Sequence, residues 1–234
     1  MSLRTDSGLP TTPGPAEAFR VGMPSDPWRL VPWEYAEQGR FAGRWDDPEG
    51  TYRVLYAASD RLGAWLEVLA PFRPPPETLA AGDAVAGDPR DVGYDTVAAG
   101  VVPRSFFEAR GVGSARLAGR FVEVLDAETI ASLRRRMAAR LVHYGLDDLD
   151  GAVLRAVAPR ALTQEIGRLL YGEEVDGAPV AGVCYESRHG AGLRLWAVFE
   201  RASDDVEALG VEPVDIDGDD ALQEALRIHG LSVA

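Results

Sequence analysis

A few side chains in this sequence are of the types that grip and split a phosphorylated ribosyl compound. Arg20 sits in the apolar stretch "AFRVG". Arg40 and Arg44 punctuate "GRFAGRW". Tyr56 falls in "TYRVLYA", Glu67 in "LGAWLEVL", and Ser187 ends "VAGVCYES". Arginine forks match phosphate oxygens two at a time. An aromatic ring stacks on a planar heterocycle. A carboxylate stabilises positive charge that develops on a reacting carbon, and a hydroxyl can orient a ribose or an amide. Together these are parts for breaking the bond between the nicotinamide and the ribose of NAD. Plainer readings stand beside this one. Glu67 lies off the apolar stripe of its segment and would serve as a solvated surface acid. Ser187 would simply open the turn "RHGAG".

The elements that must position these groups can be read from periodicity and punctuation. Residues 19–22 and 51–57 are predicted strands. Ser59 is a candidate N-cap for a helix over 60–70, with Leu62, Trp65, Leu66 and Leu69 as its core stripe. Gly63, one turn before Glu67, costs about 1 kcal/mol relative to Ala and would leave room for a ligand beside the acid. "PFRPPP" stops that helix. Residues 23–45 carry three tryptophans without clean periodicity and are expected to form a long ordered loop packed by aromatics. Residues 77–94 read as loop, 96–103 as a strand, 104–110 as a helical turn, and 114–125 as one strand or a hairpin. The clearest helix is 126–145, where Ile130, Leu133, Met137 and Leu141 share a face. A further helix spans 162–172. Strands 180–187 and 193–200 flank "RHGAG", and a short helix is expected over 219–229. Mixed short strands and helices without a regular βαβ array point to an α+β protein.

Composition narrows the function classes. A chain of 234 residues suits one globular domain with a sizeable core. Residues 1–15, rich in Pro, Gly, Ser and Thr, are expected to be disordered. Residues 202–234 are expected to be an acidic C-terminal extension of a domain spanning 16–201. No apolar run approaches the ~20 residues of a membrane span, and no signal-peptide pattern opens the chain, so a cytoplasmic protein is expected. The formal charge of -13 argues against direct nucleic-acid binding, which needs cations to neutralise phosphates. Cys184 is the one cysteine and His143, His189 and His229 are far apart, so no metal cluster is expected. Cys184 lies within an apolar strand and reads as a buried structural thiol rather than a nucleophile paired with His189. The glycines of "ARGVGSARLAG" lack both the spacing and the strand-to-helix context of a dinucleotide fingerprint. The basic run "LRRRMAAR" reads as a solvated helix face.

Three blocks carry a resemblance to a known family. "FRVG", "GRFAGRWDDPEGTYRVLYAASDRLGAWLEVL" and "GVCYESRHGAGLRLWAVFE" resemble, in this order, the RES domain family, named for an Arg, a Glu and a Ser. The resemblance covers roughly residues 17–201. It implies a single α+β domain similar to diphtheria-toxin-like ADP-ribosyltransferases, with a mixed β core and flanking helices. It implies Arg20, Glu67 and Ser187 as catalytic residues. Arg20, Arg44, Tyr56 and Ser187 would bind NAD, and Arg40 is a rival for the position of Arg44. NAD would be consumed as a substrate, with no other cofactor and no metal. The acceptor would be inorganic phosphate, water or a macromolecule. Many family members are toxins paired with Xre-type antitoxins, which makes such an antitoxin an expected partner. The alternative is a RES-like interaction module with weak or lost catalysis. The sequence departs from the family pattern in the Trp-containing stretch 23–43 between the two arginines, and in Asp46, where Asn is common.

Overall fold

A computed structural model describes residues 3–81, 98–156, 159–201 and 205–234. In chain order the elements are β1 (Thr11–Pro13), β2 (Ala18–Gly22), β3 (Val54–Ala58), α1 (Arg61–Leu69), α2 (Pro76–Ala81), β4 (Val101–Val102), α3 (Arg104–Glu108), β5 (Gly111–Leu117) and β6 (Arg120–Glu123). There follow α4 (Ala127–Arg136), α5 (Ala138–His143), α6 (Gly151–Arg155), α7 (Arg160–Tyr171), β7 (Glu174–Val175), β8 (Ala178–Pro179), β9 (Gly182–Glu186), β10 (Arg194–Phe199), β11 (Val206–Pro213), α8 (Asp220–His229) and β12 (Ser232–Val233). The α+β expectation holds. Eight strands form one sheet in the order β1-β6-β9-β10-β3-β2-β5-β11, antiparallel except for the β6–β9 pair.

Alternation along β3 and β9 divides the core. Val54 and Tyr56 face a cluster built from Trp45, Leu133, Ile166, Leu170 and Phe199, beneath α4 to α7. Leu55, Ala57 and Cys184 face the other side of the sheet, packed with Trp28, Phe121 and Trp196. A third cluster, with Trp65, Leu69, Phe107 and Leu226, joins α1, α3 and α8. Tyr185 touches the first and third clusters at once.

The central break of the sheet is what makes a site possible. β2 and β3 share a single register pair, Phe19 with Ala58. On its other side β2 pairs with β5 along its whole length. The strands therefore part after one pair, and a cleft opens between them toward α1.

Several expectations need correction. Residues 3–15 are ordered: β1 pairs with β6, Leu9, Thr5 and Thr11 are buried, and the Ser7 hydroxyl donates to Glu173. Their small polar side chains satisfy backbone groups, as Thr5 Oγ1 does for Leu9 N–H, which composition does not reveal. Residues 1 and 2 lie outside the described residues. So do 82–94 of the expected loop and 96–97 of the expected strand. Residues 202–204 of the expected extension lie outside the described residues, but 205–234 are integral: β11 pairs with β5, and Leu222, Ala225 and Leu226 of α8 are buried. The expected single helix over 126–145 breaks at Met137, whose φ of -100° and ψ of 7° separate α4 from α5. β5 and β6 form no hairpin, because they pair with different neighbours.

Candidate active site

Arg20 occupies the gap where β2 leaves β3. Its Nε donates to Pro27 O at 2.7 Å and its Nη1 to Tyr56 O at 2.6 Å, so the guanidinium braces the parted strands. Burial lowers its pKa to about 10, and it remains charged at neutral pH.

Tyr56 projects from β3 into the cleft. Its hydroxyl donates to Asp46 Oδ1 at 2.9 Å and accepts from Trp45 N–H at 2.9 Å. Asp46 also accepts from Gly43 N–H. The turn "GRWD" thus wraps around the tyrosine hydroxyl. A Cβ at Gly43 would lie 2.5 Å from Tyr56 Oη, so the turn closes only with glycine there. Burial raises the pKa of Tyr56 and of Tyr185, which keeps both phenols neutral. Burial also raises that of Asp46, against the hydrogen bonds from Tyr56 and Gly43.

Glu67 lies on α1, whose N-terminus is capped by Asp60 accepting from Gly63 N–H at 2.6 Å. The cap is Asp60, not the expected Ser59, whose hydroxyl instead accepts from Trp196 Nε1 at 2.8 Å. Gly63 also differs from expectation. A Cβ there would sit 3.2 Å from Ala58 Cβ, so the glycine lets α1 close on the end of β3 rather than making room for a ligand. Glu67 is partly buried. Its Oε1 accepts from Ser187 Oγ at 2.5 Å, and Ser187 Oγ accepts from His189 N–H at 2.9 Å. Ser187 is buried just past the end of β9. Acid and serine, far apart in sequence, are in direct contact.

Arg20, Tyr56, Glu67 and Tyr185 line one cavity of about 130 Å³, closed by Phe19 and Ala58. Arg44 does not line it. Its Nη1 donates to Leu154 O, and its Nη2 to Arg155 O at 3.1 Å. These carbonyls end α6 and have no intrahelical partner, so a cation suits them. Arg44 remains within electrostatic reach of Tyr185 and Glu67. Arg40 is exposed in a turn closed by the Glu37–Arg40 bridge.

Tyr185 and Asp46 are not among the predicted site residues, and Asp46 enters only as a departure from the family pattern. Tyr185 had a signal, since alternation places it on the same strand face as Ser187. Asp46 had none beyond its place in "GRWD". Cys184 is the buried structural thiol expected. Its Sγ accepts from Arg194 Nε at 2.9 Å, and burial pushes its pKa to about 11. Among the described residues no His, Cys, Asp and Glu groups come together as metal ligands.

A family model described as the RES domain matches residues 17–219. The chain belongs to the RES domain family. The RES match runs through β11 and stops at Asp219, the N-cap of α8. Residues 202–219 are thus part of the family domain. Arg20, Arg44, Tyr56, Glu67 and Ser187 all fall inside the matched span. Among solved structures, a chain of the crystal structure of the M. tuberculosis MbcT–MbcA toxin–antitoxin complex is similar in fold. The TM-score is 0.53 at 14% identity, over 93% of this chain and 92% of that chain. No curated protein sequence matches the chain.

Proposed function

We propose that this RES protein is an NAD-consuming enzyme that cleaves the nicotinamide–ribose bond. The observation that carries this reading is the hydrogen bond from buried Ser187 to Glu67, the acid of a cleft braced by Arg20 and walled by two neutral tyrosines. Glu67 bonds the ribose hydroxyls and steadies the oxocarbenium-like charge as the C1–N bond breaks. The bonding pair leaves with the nicotinamide and neutralises its ring charge. An acceptor oxygen then bonds to the same carbon. Ser187 holds Glu67 in place and orients the ribose or the amide. Tyr56 and Tyr185 pack against the nicotinamide side. NAD is spent as substrate, and the step calls on no other cofactor or metal because the leaving nitrogen already carries positive charge. Phosphate, water and a macromolecule are the candidate acceptors.

The role that fits best is the toxin of a toxin–antitoxin pair, acting in the cytoplasm with a dedicated antitoxin as partner. The likeness in fold to a chain of a toxin–antitoxin complex supports this reading. Among the described residues no helix is long and apolar enough to cross a membrane. The test is incubation of the purified protein with NAD, with and without inorganic phosphate, and identification of products by mass. Free nicotinamide is the expected product. A phosphorylated ADP-ribose formed only with phosphate identifies a phosphorylase, and plain ADP-ribose a hydrolase. Unchanged NAD under all conditions sinks the catalytic reading.

A further inference from the structure

The chain carries a formal charge of -13, and many of its described arginines are paired with carboxylates. Three that are not converge on one place. Arg20, Arg29 and Arg110 line a groove of about 640 Å³ together with Phe72 and Phe106. None of the three has an acidic partner among the described residues. The Arg110 guanidinium lies 3.5 Å from the centre of the Phe106 ring, and its Nη1 donates to Phe106 O at 2.7 Å. Phe72 meets Phe106 edge to face at 4.8 Å between centres. Burial lowers the pKa of Arg110. Arg29 is exposed.

This groove adjoins the reaction cavity, because Arg20, Val21, Glu67 and Val68 line both. The cavity of about 130 Å³ is too small for a dinucleotide; small-molecule sites run to about 300–1,000 Å³. A substrate with its ribose at Glu67 must therefore extend past Arg20. Beyond Arg20 it meets two cations without acidic partners, Arg29 and Arg110, and the aromatic wall on which Arg110 lies. That combination of features matches a pyrophosphate and its purine. Arg44, expected to bind NAD, lines neither space.

We propose that the groove seats the adenosine diphosphate half of the substrate, with Arg20, Arg29 and Arg110 on the pyrophosphate and the Phe72–Phe106 wall against the adenine. This rests on the reading of the cleft as an NAD site, and it makes the enzyme selective for the dinucleotide over nicotinamide mononucleotide.

Two measurements test it separately from the chemistry. The first is steady-state cleavage of NAD and of nicotinamide mononucleotide by the parent, Arg29→Gln and Arg110→Gln proteins. Losing one charge-assisted bond to phosphate should raise KM for NAD about tenfold with kcat changed less than about twofold. The preference for NAD over the mononucleotide should fall by the same factor. The second is calorimetric titration with ADP, which needs no catalysis. The parent should bind ADP, and each variant should bind it about tenfold more weakly. If Arg110→Gln disturbs folding, seen as a shifted thermal transition, exposed Arg29 carries the test alone. Should the parent leave NAD intact yet bind ADP in an Arg29- and Arg110-dependent way, the groove stands and the cleavage reading falls. Unchanged KM for NAD in both variants, or ADP binding indifferent to both arginines, overturns the groove.

Discussion

Glu67 and Ser187 share a hydrogen bond of 2.5 Å, so each is a lever on the other. Replacing Glu67 by Gln removes the charge and keeps size and hydrogen bonding. NAD cleavage should fall at least about 100-fold, typical of one preorganised electrostatic group. Stability should hardly change, since Glu67 is only partly buried. Nicotinamide release at the parental rate would return Glu67 to the status of a surface acid. His189 offers a second residue-scale test. Burial lowers its pKa below 6.5, helped by Arg188, His229 and Arg73 and opposed by Glu67. Its ring stands 5.4 Å from that of His229 and 3.4 Å from Arg73 Nη1. Between the lowered folded value and 6.5 the unfolded chain binds more protons, so folding stability falls as pH drops through that window. His189→Gln lacks this group. Its melting temperature should therefore drop less than that of the parent between pH 7 and about 5. Parallel pH profiles for the two proteins would remove His189 from the account.

At the scale of elements, α1 carries the acid, and α8 holds α1 in place. One carboxylate makes the link. Asp219 Oδ1 caps α8 by accepting from Ala221 and Leu222 N–H at 3.1 and 3.2 Å. Its Oδ2 accepts from Arg61 Nε and Trp65 Nε1, both at 2.9 Å and both on α1. Asp219→Ala removes the cap, about 1 kcal/mol, and leaves the indole N–H of Trp65 buried without a partner, about 1–3 kcal/mol more. A loss of about 2–4 kcal/mol in denaturant-derived stability is expected. NAD cleavage should fall with it, because α1 loses its support. A variant with the parental denaturation midpoint would mean that the two helices are held by apolar contact alone. The turn "GRWD" is the matching device on the other wall, tying Tyr56 to Asp46 while Arg44 caps α6.

For the whole molecule, the question is where the domain ends. Deleting residues 202–234 removes β11 from the sheet and α8 from the cluster around Trp65. Leu222 and Leu226 alone are worth about 1.5–3 kcal/mol each on full burial. Net domain stability is about 5–15 kcal/mol, and the deletion also bares Trp65, Leu66 and Leu69. A chain of residues 1–201 should therefore show no cooperative thermal transition and should associate through the exposed face. Cooperative melting of that fragment near the parental temperature would restore 202–234 to the rank of an appendage.

The sequence by itself determined the α+β class and most central elements, because hydrophobic periodicity is a local property. α1, α7, the β9–β10 pair around "RHGAG" and α8 all form close to where their patterns place them. It also marked Glu67 and Ser187, whose block order matched a family pattern. Tertiary structure alone decided the rest. β1 and β11 are edge strands with weak patterns, and only their partners β6 and β5 make them strands. Arg44 reads like Arg20 in one dimension, yet one caps a helix while the other braces a split sheet. Arg29 and Arg110 lie far apart along the chain, and nothing local distinguishes them from solvated arginines. They meet in one groove only because β2 and the chain after it pack beside the C-terminal ends of α1 and α3. Patterning fixes which face of an element is apolar. Which polar groups meet is set by how distant elements pack, and that is where a binding site arises.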